Sequence, residues 1–148
     1  MLRPVDVHDL RFLRDMLRHA YYWRMSEATE RPLYRYVANW GRPGDAGVVA
    51  MEGPHAYGAA WYRLFSRQEP GFGFVDEQTP ELTIAVVPSR RGKGAGKELL
   101  EALLAQARRD GYAQVSLSSG KDQSVYYERF GFEPVEEDEH AVTMLARL

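Results

Sequence analysis

The chain has 148 residues, of which 45% are hydrophobic, enough for one domain with a buried core over 1–148. Nineteen basic and twenty-one acidic residues leave a formal charge of −2, which disfavours nucleic acid or an anionic membrane as a partner. There is no cysteine, so a disulfide framework and a cysteine nucleophile are excluded, and the four histidines lack metal-ligand spacing. No apolar run suggests a signal peptide or membrane span, so we expect a cytoplasmic protein. The spacing of the histidines leads us to expect no bound metal.

The first half of the chain predicts two helices, a hairpin and a long loop. Leu10, Leu13, Leu17 and Ala20 recur at spacings of three and four after Asp6, a good helix cap. In chain order we predict an edge strand at 2–5, helices at 8–20 and 32–38, and strands at 48–51 and 58–65 joined by a turn at Gly53 and Pro54. The loop at 66–80 is long for a compact domain, so we expect it to have a function.

The second half predicts a parallel βαβ unit inside a mixed sheet. Residues 81–87 are nearly continuously apolar, as in a central strand with helices on both faces. A helix after Gly94 carries a leucine stripe and stops at Gly111, and the strand at 115–117 is then parallel to 81–87. A short helix at 123–130 and strands at 132–135 and 141–146 complete an α/β fold.

The turn between the strand at 81–87 and the following helix predicts a diphosphate site. Gly92, Gly94 and Gly96 let the backbone present successive N–H groups, and the helix N-terminus adds its own donors and its positive dipole end. Four basic side chains surround these donors: Arg90, Arg91, Lys93 and Lys97. The alternative is an ordinary turn with a solvated basic face.

Two common glycine-rich signatures do not fit this turn. A P-loop needs glycine at Arg91 and serine or threonine at Glu98, and neither is present. A dinucleotide fingerprint needs glycine at Lys97 and an acidic residue after the next strand, which are also missing. Nucleoside triphosphates and dinucleotides are therefore disfavoured.

The pattern Arg91-x-x-Gly94-x-Gly96, followed by Tyr127 and the Phe130-Gly131-Phe132 turn, resembles the GNAT superfamily of acyl-CoA-dependent N-acetyltransferases. The matching parts run from about residue 81 to 132. The resemblance implies a mostly antiparallel sheet with one parallel βαβ unit and flanking helices, and acetyl-CoA as cosubstrate. It also implies that the pantetheine arm lies between two diverging strands.

The resemblance carries roles over to particular residues. The diphosphate would bind to Arg91, Gly92, Lys93, Gly94, Ala95, Gly96 and Lys97. The arm would bond to the backbone of Val86 and Val87, and Tyr127 would protonate the leaving thiolate. Glu81 is the candidate general base, against a structural or substrate-orienting role, with Glu77 in reserve. Where many relatives have an asparagine, this chain has Lys121, a phosphate contact or a solvated loop residue.

The acceptor is less well defined by the sequence. Asp76, Glu77 and Glu81, with nearby aromatic residues, predict a small cationic amine reached through the loop at 66–80. A non-catalytic acyl-CoA-binding module of the same fold is the alternative, and an RNA acceptor is disfavoured by the acidic net charge. The oligomeric state stays open between a monomer and a homodimer.

Overall fold

The structure is a computed structural model that describes residues 1–21 and 33–148. Its strands are β1 (Leu2–Pro4), β2 (Ala46–Glu52), β3 (His55–Arg63), β4 (Glu81–Val86), β5 (Gln114–Gly120), β6 (Phe132–Glu137) and β7 (Ala141–Arg147). They form one sheet in the order β1-β2-β3-β4-β5-β7-β6, in which only β4 and β5 are parallel neighbours. The predicted α/β fold, with a mostly antiparallel sheet and one parallel unit, is confirmed.

Within the described residues, the sheet is flanked by the helices α1 (Leu10–Tyr21), α2 (Ala95–Arg109) and α3 (Ser124–Glu128). Short 3₁₀ turns lie at Val7–Asp9, Pro88–Arg90 and Lys121–Gln123. The predicted helix at 32–38 begins outside the described residues, and after two helical residues the chain at 35–39 forms turns instead. In the described part of the chain no helix is long and apolar enough to cross a membrane.

Asp6 caps the 3₁₀ turn at Val7–Asp9, which leads directly into α1 at Leu10, two residues after the predicted start of the helix. The Asp6 carboxylate accepts the His8 N–H at 2.7 Å, while the Asp9 carboxylate accepts the Asp6 N–H at 2.9 Å. Arg3 of β1 donates two hydrogen bonds to Asp9, at 2.7 and 2.8 Å, and lowers the pKa of that carboxyl. The cap thereby ties α1 to the edge of the sheet.

The two main helices cover opposite faces of the sheet. α1 buries Leu13, Met16, Leu17 and Tyr21 on one face, and α2 buries its leucine stripe on the other. Side chains alternate along a strand, so Glu81, Thr83 and Ala85 of β4 face α1, and Leu82 and Val86 face α2. The central strand thus places polar groups only on the α1 side.

The parallel strands separate almost as soon as they meet. β4 and β5 pair only at Glu81 and Ser116, where the Ser116 N–H donates to the Pro80 carbonyl at 3.0 Å. Beyond that point the described residues form no further β4–β5 ladder, and the strands diverge toward their carboxyl ends. This is the gap that the resemblance implies.

Candidate active site

A cavity of about 300 Å³ occupies the gap between β4 and β5. Its walls come from both strands, from the end of α1, from the glycine turn and from α3. The lining residues include Tyr21, Thr83, Ile84, Val86, Arg91, Gly96, Ser118, Tyr126 and Tyr127. The cavity therefore joins the predicted diphosphate turn to the predicted proton donor.

The edge of β4 presents backbone groups to this cavity. The Val87 N–H donates to the Tyr57 carbonyl of β3 at 2.9 Å, so by alternation the backbone of Ile84 and Val86 points away from β3, into the gap. The Val86 carbonyl accepts a hydrogen bond from Arg91 Nε at 3.0 Å. Of the two residues predicted to meet the pantetheine arm, Val86 faces the gap, whereas the N–H of Val87 is bonded to β3.

The glycine turn has the geometry of an anion site. Gly92 and Gly94 adopt φ of +80° and +86°, a conformation that side chains rarely tolerate, and Gly94 caps α2. The first α2 bond is donated by the Glu98 N–H to the Gly94 carbonyl. The N–H groups of Ala95, Gly96 and Lys97 consequently precede the helical ladder and are directed outward at its positive end.

The four basic side chains of the turn have different positions. Arg90 pairs with Glu52, lowers the pKa of that carboxyl, and lies over the Tyr57 ring with its guanidinium carbon 4.7 Å from the centroid. Arg91 lines the cavity. Lys93 and Lys97 form no ion pair with the other described residues. Arg90 thus anchors the turn to the β2–β3 hairpin, and the other three remain near the candidate anion site.

Tyr127 lies in the cavity wall on α3. Its ring packs edge-on against Phe132 and Tyr126, at centroid distances of 6.0 and 5.3 Å. Burial raises the pKa of Tyr127 to about 12, with a smaller contribution from Tyr126. The phenol is therefore protonated at neutral pH and able to donate a proton. Tyr126 also lines the cavity, and its hydroxyl lies 3.7 Å from where a Gly96 Cβ would be.

Glu81 is buried and does not line the cavity. Its carboxylate accepts hydrogen bonds from the Tyr36 hydroxyl and from the Gly73 N–H, the latter at 3.0 Å. A Cβ on Gly71 would clash with this carboxylate, so the loop at 66–80 covers it closely. Glu77 instead accepts the Arg67 N–H, and Asp76 accepts the Gln78 N–H. Neither of these two carboxylates lines the cavity.

Sequence reasoning missed three residues at this site, and it named Tyr21 only among the aromatic residues around the acceptor. Tyr21 and Thr83 line the cavity and share a hydrogen bond of 3.2 Å, and Tyr36 joins the same cluster through Glu81. Ser118 also lines the cavity, but its hydroxyl is buried without a hydrogen-bond partner in the described structure. For Thr83 a signal existed, because it shares the pleat face of Glu81. For Tyr36 and Ser118 the sequence pattern gave none.

The fold and this cavity define a protein that binds a phosphate-bearing ligand along the open edge of a central strand. A family model described as "Acetyltransferase (GNAT) domain" matches residues 45–134, more than half of the chain. The chain belongs to this family of acetyltransferases.

Solved structures support the same fold. Ribosomal-protein-alanine N-acetyltransferase from Brucella melitensis is 22% identical, with a TM-score of 0.73 over 100% of this chain and 99% of that one. Phosphinothricin acetyltransferase from Sinorhizobium meliloti, in complex with AcCoA, is 21% identical, with a TM-score of 0.73 over 100% and 88%. PaiA N-acetyltransferase from Thermoplasma acidophilum, in complex with coenzyme A, is 16% identical, with a TM-score of 0.70 over 100% and 98%. No curated protein matches the chain significantly in sequence.

The residues in the gap fit coenzyme A. The open edge at Ile84 and Val86 suits amide groups of an extended arm, and the N-terminus of α2 with its positive-φ glycines suits a diphosphate. No cluster of histidine and carboxylate side chains in residues 1–21 and 33–148 has the arrangement of a metal site.

Proposed function

We propose that the protein is an N-acetyltransferase that transfers the acetyl group of acetyl-CoA to a small cationic primary amine. The observation that carries this proposal is the β4–β5 gap, which connects an anion-binding helix terminus to the protonated phenol of Tyr127. Bound acetyl-CoA supplies the activated thioester. The chain's own residues bind it, orient it and donate one proton.

Each group in the gap has a role that follows from its chemistry. The N–H groups of Gly94–Lys97, with Arg91, Lys93 and Lys97, hold the diphosphate, and the Ile84 and Val86 backbone holds the arm. Tyr127 donates its phenolic proton to the thiolate as the leaving group departs. Glu81 is the general base, because its buried carboxylate lies on the same face of β4 as Thr83, two residues from that part of the cavity wall.

The acceptor class rests on charge and on aromatic surface. The Glu81 carboxylate lies behind the wall formed by Tyr21 and Thr83, and in a low-dielectric interior a negative charge attracts a cation over several ångströms. The Tyr21 and Phe72 rings pack together next to it, with centroids 5.5 Å apart. Both features favour an ammonium group over a neutral or anionic acceptor.

A panel of acceptors tests the proposal. Acetyl-CoA is offered with small primary diamines, neutral amides, amino acids blocked at the amine, and thiols, and free coenzyme A is measured with a thiol reagent. We expect turnover with the diamines and little with the others. Turnover restricted to neutral or anionic acceptors would overturn the acceptor class, and acetylation of thiols alone would overturn N-acetylation.

A non-catalytic acyl-CoA-binding module remains the second candidate. It is favoured by the family fold, which supplies the ligand site without requiring turnover. Tyr127 speaks against it, because a half-buried phenol that stays protonated at neutral pH in the cavity wall is suited to proton donation. Tight binding of acetyl-CoA with no turnover in any arm of the panel would favour this module.

Substituting the cap residue of α2 should abolish most cofactor binding. Gly94→Asp places a carboxylate beside the diphosphate site, where no described atom blocks the new side chain. We expect affinity for acetyl-CoA, measured by calorimetry, to fall by roughly 10²-fold, which is about the cost of placing a second negative charge close to the diphosphate. Gly94→Asn is the matched control, with the same shape and φ but no charge, and should lose much less. Equal losses in the two variants would indicate that backbone strain dominates instead.

A further inference from the structure

The general base and the acceptor site are separated by packed protein. Glu81 is 1% exposed, and the loop around Gly71 and Gly73 covers its carboxylate on the side away from β4. The cavity wall nearest to it is formed by Thr83 and Tyr21. An acceptor amine in the cavity therefore cannot touch Glu81 directly, and its proton needs a path through other groups.

A row of hydroxyl groups connects the cavity to Glu81. Tyr21 and Thr83 share a hydrogen bond of 3.2 Å at the wall, and the rings of Tyr21 and Tyr36 pack together with centroids 5.2 Å apart. Tyr36 in turn donates to Glu81. The three elements that contribute to this row are α1, the segment at 33–40 and β4.

The end of the row next to Glu81 has a fixed direction. A hydroxyl has a single proton, and that of Tyr36 is donated to Glu81, while the Tyr36 oxygen accepts from the Phe72 N–H at 2.8 Å. In the hydrogen bond between Tyr21 and Thr83 either hydroxyl can donate, so Tyr21 can turn its proton toward Tyr36 and accept another from the cavity side. The row can therefore carry a proton from the cavity to the carboxylate.

The segment that carries Tyr36 is fixed by hydrogen bonds from Trp61 and Arg63. The Tyr36 carbonyl accepts the indole N–H of Trp61 at 3.0 Å, and Arg63 donates to the carbonyls of Arg35 and Ala38 at 2.9 and 2.7 Å. Tyr36 itself is 1% exposed and Tyr21 is 2% exposed. The row is thus a fixed part of the core and excludes water from the path.

We propose that Tyr21 and Tyr36 form a proton relay through which Glu81 deprotonates the acceptor amine. This inference rests on the proposed function, whose base it connects to its substrate. The ammonium N–H bond breaks as its proton joins the Tyr21 oxygen, the Tyr21 proton moves to Tyr36, and the Tyr36 proton moves to Glu81. The result is a neutral amine, two neutral phenols and a carboxylic acid, which returns its proton to solvent after the reaction.

The environment of the row suits this role. Burial and the charge of Glu81 raise the pKa of Tyr36, and burial raises that of Tyr21, so both phenols stay neutral between transfers. Among the described residues, Arg63 and Ser116 also lie next to Glu81, as its partners on β3 and β5. Asp45 engages the Arg63 guanidinium, and Ser116 donates to the Gly73 carbonyl. On the cavity side, Tyr127 faces Tyr21.

The test compares three variants that interrupt the relay at different points: Tyr21→Phe, Tyr36→Phe and Glu81→Gln. With a primary alkylamine of the panel as acceptor, each should lower kcat/KM by roughly 10²-fold at neutral pH, the scale of one positioned base. The loss should shrink as pH approaches the amine pKa of about 10, where the free amine needs no base. The Tyr36→Phe/Glu81→Gln double variant should lose little more than either single one, because a relay fails as a unit.

Tyr62→Phe is the matched control. Tyr62 is equally buried, but it lies on the opposite face of the sheet, where its hydroxyl bonds to Asp110. It should keep the wild-type pH profile, and melting temperatures should show that all variants fold. A constant loss at every pH in the relay variants would overturn the proposal, as would unchanged activity in Tyr21→Phe.

Failure of the relay can be distinguished from failure of the proposed function. If the wild type acetylates an amine and the relay variants do so equally well, only the relay is wrong. If no amine is acetylated, the same variants are compared in acetyl-CoA hydrolysis, where water must lose the proton and the same losses are expected. Equal hydrolysis in wild type and variants would then overturn the relay, and absence of both reactions would overturn the proposed function together with it.

Discussion

Replacing Tyr127 by phenylalanine should lower kcat by roughly 10²-fold or more, with little change in cofactor affinity or folding. The ring keeps its contacts with Phe132 and Tyr126, and only the hydroxyl is lost. Because its hydrogen bond to sulfur strengthens as negative charge develops there, the effect should fall on kcat more than on KM. The measurement is steady-state kinetics with a primary amine, together with calorimetric binding of acetyl-CoA.

The pH dependence of the parent enzyme gives a second readout of Tyr127. An ordinary tyrosine loses its proton near pH 10, but burial raises the pKa of this phenol to about 12. The acid form is fully present below that pH and is lost only as pH rises through it. We therefore expect that deprotonation of Tyr127 does not lower the kcat of the parent near pH 10. If kcat does fall there, Tyr127→Phe should show the same fall.

The control for this substitution is best taken outside the cavity. From the helical rotation alone, Tyr126 should point about 100° away from Tyr127 and be a neutral neighbour. In the structure Tyr126 also lines the cavity, with its hydroxyl near Gly96, so Tyr126→Phe should affect acetyl-CoA affinity. Tyr112, packed against Tyr62 on another part of the sheet, offers a better control. Equal kcat in Tyr127→Phe and the parent would mean that another group supplies the proton.

The sequence predicts the frame of the site well because local rules determine it. Through its own carboxylate, Asp6 caps the turn that leads into the first helix, and the positive φ of Gly92 and Gly94 is what a tight anion-binding turn needs. The β4–β5 gap follows from the resemblance, whereas Pro88 does not cause it, because the ladder already ends at Glu81 and Ser116. These features involve residues that are close together in the chain.

The surroundings of Glu81 could not be predicted in this way. The hydrogen bond to Tyr36 joins residues 45 positions apart, and that between Tyr21 and Thr83 spans 62. Such contacts depend on how α1 and the segment at 33–40 pack on β4, which local periodicity does not encode. When Ala85-Val86-x-Pro88 is matched to the pattern of the family, Glu81 falls one residue from the position of the usual glutamate, and in a strand a shift of one residue changes the face. The structure places Glu81 on the α1 face, beside Tyr36 and away from the cavity wall.

The substitution Asp45→Ala should cause the largest loss of stability, although Asp45 is far in sequence from the residues that line the cavity. Arg63 is 0% exposed, and its guanidinium is held by the Asp45 carboxylate at 2.6 and 3.0 Å. Asp45→Ala leaves this charge buried without its counterion, which costs about 3–5 kcal/mol. For a chain of this size the melting temperature should fall by roughly 10 °C. Differential scanning calorimetry measures it.

Asp15→Ala is the control for this substitution, because it removes the same charge from an exposed position on α1 and should change the melting temperature little. The Asp45 carboxylate also accepts the N–H groups of Gly41 and Arg42, so Asp45→Asn should lose less than Asp45→Ala. Arg63 donates hydrogen bonds to backbone carbonyls on both sides of Tyr36. The fraction of Asp45→Ala protein that stays folded should therefore also have a lower kcat than the parent. A melting temperature equal to that of the Asp15 control would show that the Asp45–Arg63 pair contributes nothing to holding this segment against the sheet.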